Sequence, residues 1–373
     1  MTLVPRACAF LLSLSAVSLV ACGDDVDNTG PTSSSGSSSA VTGTGGNGGA
    51  GLVGGSASGG GGSGAEGGGS PGCTPAEGTL LAIRKIYWGD TLPNGMKSTS
   101  AWRQYGFNLD GLVSNETSTD VCVPAARGNP SYVHPDGDNG IDNAWGKNLL
   151  PIFLAITTDF SDNANLGIQT GQFTLMLELL GVRPGDDNAP APARLFSGLP
   201  IGISPAFDGQ DCWPVSSESL ASPPDLMSAK STFPDAAIAG NVWSSNGSSD
   251  VALVVGVPGF SFTLPIRQVR FSAVLDPDHQ GATLGLLGGV MDREEFIEVV
   301  TDLFGTLDPS LCEGATADSI KNQIRQAADI LADGTQDPAK ECDGISIGLG
   351  FDLAAMGFGP VEDPPPPGLD PCP

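Results

Sequence analysis

Between Asp136 and Asn143 the chain reads Asp-Gly-Asp-Asn-Gly-Ile-Asp-Asn, with three carboxylates and two side-chain amides in eight residues. Asp136, Asp138 and Asp142 fall at relative positions 1, 3 and 7, and Asn139 and Asn143 add amide oxygens. Alternate residues of a tight loop can converge on one centre, and a hard cation such as calcium takes roughly six to eight oxygen ligands. Gly137 and Gly140 supply the positive-φ freedom that such a wrap needs. The spacing therefore predicts a calcium site built from Asp136, Asp138, Asn139, Asp142 and Asn143. The competing reading is a solvated turn in which the same side chains bond the local backbone. His134, just upstream, reads as a loop residue.

Other chemistry is thin. The chain has no H-E-x-x-H, phosphate-binding loop or dinucleotide fingerprint, and its only histidines are His134 and His279. Gly68-Gly-Ser-Pro-Gly72 matches the G-x-S-x-G string, but no strand precedes it and no helix follows, so the match is chance. A glycosidase working with two carboxylates stays open, because such acids need not be neighbours in sequence. Asp329, Asp333 and Asp337 form a second, weaker cation candidate. Trp88, Trp102 and Tyr105 would serve as a sugar-stacking platform if exposed and as core anchors if buried.

The acidic loop resembles the calcium loops of EF-hands, dockerins and thrombospondin type 3 repeats. It departs from them at three points. The twelfth position, a glutamate in EF-hands, is Lys147; glycine stands at position 5; and the motif does not recur in tandem. A complete EF-hand is not expected.

The elements around this loop begin with an export signal. Arg6 precedes an apolar run from Ala7 to Val20, too short to span a bilayer as a mature helix. Leu19-Val20-Ala21-Cys22 resembles the lipobox of bacterial lipoproteins, which implies lipidation of Cys22 after removal of residues 1–21. Gly23 is not the aspartate that resembles an inner-membrane retention signal, so the expected location is the outer membrane or cell surface. Residues 22–72 are Gly, Ser, Thr and Ala with almost no large apolar side chain, a composition that predicts a flexible tether. The net charge of -26 excludes nucleic acid as a partner and favours divalent cations. Six cysteines then remain in an oxidising compartment: Cys73, Cys122, Cys212, Cys312, Cys342 and Cys372. Three disulfides are expected. Cys312–Cys342 is the pairing expected first, because the two bracket one helix, and Cys73–Cys372 would join the domain ends.

Residues 73–361 read as a β-rich domain. Leu80–Trp88, Val251–Val255 and Phe262–Ile266 have strand character, and Phe173–Leu179 alternates with period two. Leu149–Ile156 is a continuous apolar run placed among the strands. Apolar parity is even at Phe262, Leu264 and Ile266 but odd at Phe271, Ala273 and Leu275, which predicts a bulge near Arg267–Arg270. Asp292-Arg-Glu-Glu295 is a capping-box start for a helix carrying Phe296, Val299, Val300, Leu303 and Phe304. A second helix is expected from Thr316 to Leu331. Ile345 to Leu353 then alternates as a closing strand. The fold expected is mainly β, an antiparallel sandwich or jelly roll with two late α-helices, and residues 362–373 form a Pro-rich tail. Phe207-Asp208-Gly209 echoes laminin-G-like lectins over three residues only and reads as a polar turn.

Phe107–Ser114, Asp136–Asn143 with Trp145-Gly-Lys-Asn148, and Asp343–Asp352 together resemble a family of secreted lipoproteins of gliding soil bacteria, the myxobacteria. That resemblance implies a surface-anchored domain without assigned catalytic residues. The expected role is a calcium-stabilised structural or adhesion module held to the membrane through Cys22, with a glycan or cell-surface protein as possible partner. A carbohydrate-binding module is the first alternative and a carboxylate glycosidase the second.

Overall fold

The computed structural model describes residues 72–125, 133–183, 185–257, 260–365 and 372. The predicted signal peptide and all but the last residue of the predicted tether, including Cys22, lie outside them, as does most of the Pro-rich tail. The architecture is mainly β. The strands are β1 (Thr79–Tyr87), β2 (Thr174–Leu179), β3 (Asn188–Pro190), β4 (Ala193–Gly198), β5 (Cys212–Ser216), β6 (Ser231–Phe233) and β7 (Ala237–Ala239). They continue with β8 (Val242–Ser244), β9 (Ser249–Val257), β10 (Phe260–Leu275), β11 (Gly281–Asp292), β12 (Gly344–Ala355) and β13 (Gly357–Glu362). All belong to one sheet in the order β13-β5-β4-β2-β1-β12-β11-β10-β8-β7-β3, with β6 beside β4 and β9 beside β10. Pairing is antiparallel except for β13 and β5, which run parallel. The sheet curls, so β9 packs against β2, β4 and β6, and the core lies inside the curl.

Period-two patterning places this core well. Val251, Leu253 and Val255 of β9 and Leu264 and Ile266 of β10 point into it, as do Phe271, Ala273 and Leu275. The parity switch is resolved as the alternation predicts. Gln268 takes φ 53°, and the register slips between Arg267 and Arg270 and between Ile266 and Val269. Pro265 lies in the half of β10 that β11 does not pair, where a missing N–H is tolerated.

Among the described residues there are four α-helices, two more than the sequence predicts. Helices α1 (Leu150–Ile156) and α2 (Phe160–Gln169) precede β2, and α3 (Arg293–Leu307) and α4 (Ala315–Gln326) precede β12. The apolar run of α1 is a helix because Pro151 sits in its first turn, where a missing N–H costs nothing. Helix α2 is too polar to stand out, yet its Asn165 brackets β1, accepting from Ile86 N at 2.8 Å and donating to Ile86 O at 2.9 Å. Helix α3 begins as the capping box predicts, with Asp292 accepting from the N–H groups of Glu294 and Glu295. Helix α4 ends at Gln326, short of Leu331. An aromatic cluster of Trp88, Trp145, Phe153, Phe160 and Phe296 joins α1, α2 and α3 under the sheet.

The disulfides are Cys73–Cys212, Cys122–Cys342 and Cys312–Cys372. Three bonds form as expected, but both expected pairings are wrong. Cys312 and Cys342 bracket α4, whose twelve residues separate its ends by about 18 Å. Cys342 instead lies beyond the far end of α4, beside Ala328 and Asp329, where a bridge between Val123 and Glu341 brings it to Cys122. Cys73 follows the β5–β13 pair, since Thr74 bridges Phe358 while Cys212 lies opposite Gly357.

Candidate functional site

Strand β12 positions the acidic loop. Its odd residues Ile345, Ile347, Leu349 and Phe351 enter the core, while its even residues Ser346, Gly348 and Gly350 leave a shallow face. A turn through Ala101–Gln104 lies on that face, so close that a Cβ on Gly348 would overlap the Tyr105 carbonyl. The acidic loop sits against this turn. Gly137 N donates to Ile141 O at 2.7 Å, and Asn139 and Gly140 take left-handed φ values of 58° and 84°. Gly137 itself is not left-handed. It is required because the Arg103 backbone leaves no room for a side chain.

The predicted ligands separate. Asp138 turns outward to an ion pair with Arg103 at 2.9 Å. Asn139 is exposed. Asn143, only 2% exposed, spends its amide on the scaffold. Its Nδ2 donates to the carbonyls of Trp102, Tyr105 and Gly348 at 2.9–3.1 Å, and its Oδ1 accepts from Gly146 N and Gly348 N. That side chain is a bracket. Asp136 and Asp142 point inward, where Asp142, 2% exposed, accepts from Leu109 N at 2.7 Å and Asp136 from Ser114 N at 2.5 Å.

Two carboxylates from elsewhere join them. Asp110 accepts from Leu112 N and from Gln336 Nε2, each at 2.8 Å. Asp329 is held under β12 by the N–H and hydroxyl of Ser346, at 2.9 and 2.5 Å. The second predicted acidic group therefore splits. Asp329 comes here, while Asp333 caps Thr335 and Asp337 faces Lys340. Gln336 links the walls, donating to Asp110 and to Asp329 O while accepting from Cys122 N. The Cys122–Cys342 disulfide closes that side.

Burial raises the Asp142 carboxyl to about 9, helped by repulsion from Asp329 and Asp110. Burial likewise raises Asp329 to about 7 against the opposing Ser346 bonds, and Asp136 to about 6. Desolvation pulls Lys147 down, and it also lowers His134. Lys147 donates to Pro135 O and lies over the Trp102 ring.

Asp136, Asp329, Ser114, His134 and Gln336 line a cavity of about 10 Å³, about the room that one water or one ion occupies. A substrate does not fit there. Ser114 is only 8% exposed, and its Oγ has no hydrogen-bond partner. Among the described residues, no three His, Cys, Asp or Glu side chains stand close enough to hold a metal ion as placed. Trp88, Trp102 and Tyr105 are all buried, so they present no stacking platform. Of this constellation the sequence reading missed Asp110, Ser114, Gln336 and Ser346. The Asn-Leu-Asp-Gly string around Asp110 was the available signal. No family model matches the chain, and no curated protein or solved structure is significantly similar to it.

Proposed function

We propose that the chain is a cell-envelope lipoprotein whose disulfide-braced β domain serves as a structural or adhesion module and is stabilised by calcium in the acidic pocket. The observation that carries the cation is the orphaned hydroxyl of Ser114, a residue that lines an ion-sized cavity together with Asp136 and Asp329. A buried hydroxyl without a partner costs about 1–3 kcal/mol, which an ion or water removes. Asp142 and Asp110 stand behind that wall, close enough for Asp110 to act electrostatically on both Asp142 and Asp329. Two carboxylates, one hydroxyl and waters make a modest site, so the expected dissociation constant is about 0.1–1 mM, as in extracellular calcium modules.

Support for the structural role comes from the attachment point. Cys73, where the predicted tether meets the domain, is bonded to Cys212 at the start of β5. A pull on the tether therefore loads a covalent bond before it reaches β1. The predicted lipid at Cys22 would place such a load on the domain.

The test is calcium titration of the Cys22→Ser chain, followed by calorimetry and by melting temperature. Calcium is expected to raise the melting temperature of the parent and of Asp138→Ala equally. It should lose most of its effect in Asp136→Asn and Ser114→Ala. A parent protein indifferent to millimolar calcium would overturn the cation reading and leave the tethered module standing.

A further inference from the structure

A cleft of about 780 Å³ lies where the curled sheet fails to close. On one side are β4 and β6, with Ser197 and Ser231 at the rim; on the other is β9, with Asp250, Ala252 and Val254. Among the described residues no backbone ladder crosses this gap, because β9 pairs only with β10. Two hydroxyls span it instead. Ser197 Oγ donates to Ala252 O at 3.2 Å, and Ser231 Oγ donates to Asp250 O at 2.5 Å.

The register shows what this edge offers. Ala252 lies opposite Pro265, which has no N–H to give to β9. Residues 250, 252 and 254 therefore aim both main-chain N–H and C=O away from β10 and into the cleft. An unpaired edge of this kind is a template for another strand, and proteins blunt such edges with proline, charge or bulges. Between Val251 and Val255 the pairing of β9 with β10 runs without a register shift, and this stretch holds no proline and no charged residue.

Charge narrows the occupant. The chain carries -26, and at this cleft Glu218 and Asp250 have no ion-pair partner among the described residues. The cation Arg267 is already held by Asp292 and Glu295. Lys230, on the rim, is the one counterweight. A field of this sign draws basic segments and repels acidic ones.

We propose that this cleft binds an extended peptide segment bearing lysine or arginine, which adds as a strand to the outer edge of β9. Its N–H groups replace the Ser197 and Ser231 hydroxyls on the carbonyls of Ala252 and Asp250. Its own carbonyls accept from the freed N–H groups of the same edge, the pattern of β-strand addition. This site is separate from the acidic pocket and stands or falls without it.

The experiment measures fluorescence anisotropy with the Cys22→Ser chain and a labelled short peptide of alternating threonine and valine, lysine at each end. The lysine-ended peptide is expected to bind at least about tenfold tighter than its glutamate-ended counterpart, and Glu218→Lys to narrow that gap. Methylating alternate peptide nitrogens is expected to weaken binding by about tenfold or more, since main-chain hydrogen bonds supply the affinity. Ala252→Pro, which removes one edge N–H, should weaken it similarly while the melting curve is kept. Equal binding of the methylated peptide, or no binding of either peptide, overturns the proposal. Should Ala252→Pro fail to fold, the methylated peptide on the parent chain reads the same bonds. A chito-oligosaccharide that binds where the peptides do not would also overturn it and make the cleft a glycan site.

Discussion

Asn143 gives the sharpest test of whether the acidic loop is a ligand set or a bracketed scaffold. Replacing it with aspartate changes almost no volume but inverts half of its hydrogen bonding. The retained oxygen still accepts from Gly146 N and Gly348 N. The new oxygen faces the carbonyls of Trp102, Tyr105 and Gly348 at 2.9–3.1 Å, where Nδ2 used to donate. Two N–H donors shared among those three carbonyls are lost, each bond contributing about 1 kcal/mol, and a buried charge is set against acceptors, so the loss should reach about 4 kcal/mol at neutral pH. Burial raises the folded pKa of the new carboxyl above its unfolded value. The penalty is therefore complete above the folded pKa and shrinks as pH falls toward about 4, where both states are protonated.

Asn143→Ala should cost a similar amount, about 4–5 kcal/mol, because it orphans two buried N–H groups. Its penalty should not depend on pH. Urea denaturation of parent and both variants between about pH 4 and pH 8, with and without calcium, separates the two readings. If Asn143 were a cation ligand, aspartate in its place would strengthen calcium binding and raise stability in calcium. An Asn143→Asp variant within about 1 kcal/mol of the parent at neutral pH, or one whose deficit is flat with pH, refutes the bracket.

Three further outcomes follow from the same contacts. In calcium-free buffer the raised carboxyls of Asp136, Asp329 and Asp142, at about 6, 7 and 9, bind protons that the unfolded chain has already released. Stability should therefore fall as pH rises from about 4 toward 9, and calcium should restore most at the alkaline end, as melting curves would show. Removing the Cys73–Cys212 bond by a double serine substitution opens a loop of 139 residues and should cost about 3–5 kcal/mol in urea. A non-reducing peptide map should show that pair and no Cys312–Cys342 linkage. Gly348→Ala forces a Cβ into the Tyr105 carbonyl and the Asn143 amide, and should destabilise by about 2–4 kcal/mol with a lowered melting temperature.

What the sequence disclosed depended on how far each signal had to reach. The parity switch in β10 and the Asp292 cap are local patterns, and both are present where the residues put them. The alternation from Ile345 to Leu353 is real, but it described only one face of β12. The other face is shallow because another segment lies on it, and small residues at even positions carried that information unread. Helix α2 does carry a buried stripe, Phe160, Ala164, Gly167 and Ile168, but it is short and built partly of small residues, and its further work, the Asn165 bracket on β1, is tertiary. Disulfide pairing is likewise set by which strands end together, as with Cys73 and Cys212 beside Gly357.

The acidic loop shows the same limit at higher stakes. Spacing at positions 1, 3 and 7 treats all three carboxylates as equivalent, yet Arg103, distant in sequence, takes Asp138 out to solvent. Asp329, from beyond α4, replaces it on the inside. The carboxylates around the pocket thus rise from three to four, with Asp138 lost and Asp110 and Asp329 gained. A loop that merely solvated its acids would turn Asp142 outward as well, because water screens such charge better than a protein interior does. Instead Asp142 is tied inward to Leu109, and Asp329 is tied beneath β12 by Ser346. The fold therefore holds these carboxyls inside against their mutual repulsion. An ion or bound protons must offset that cost, and the calcium response across pH decides which of the two does so.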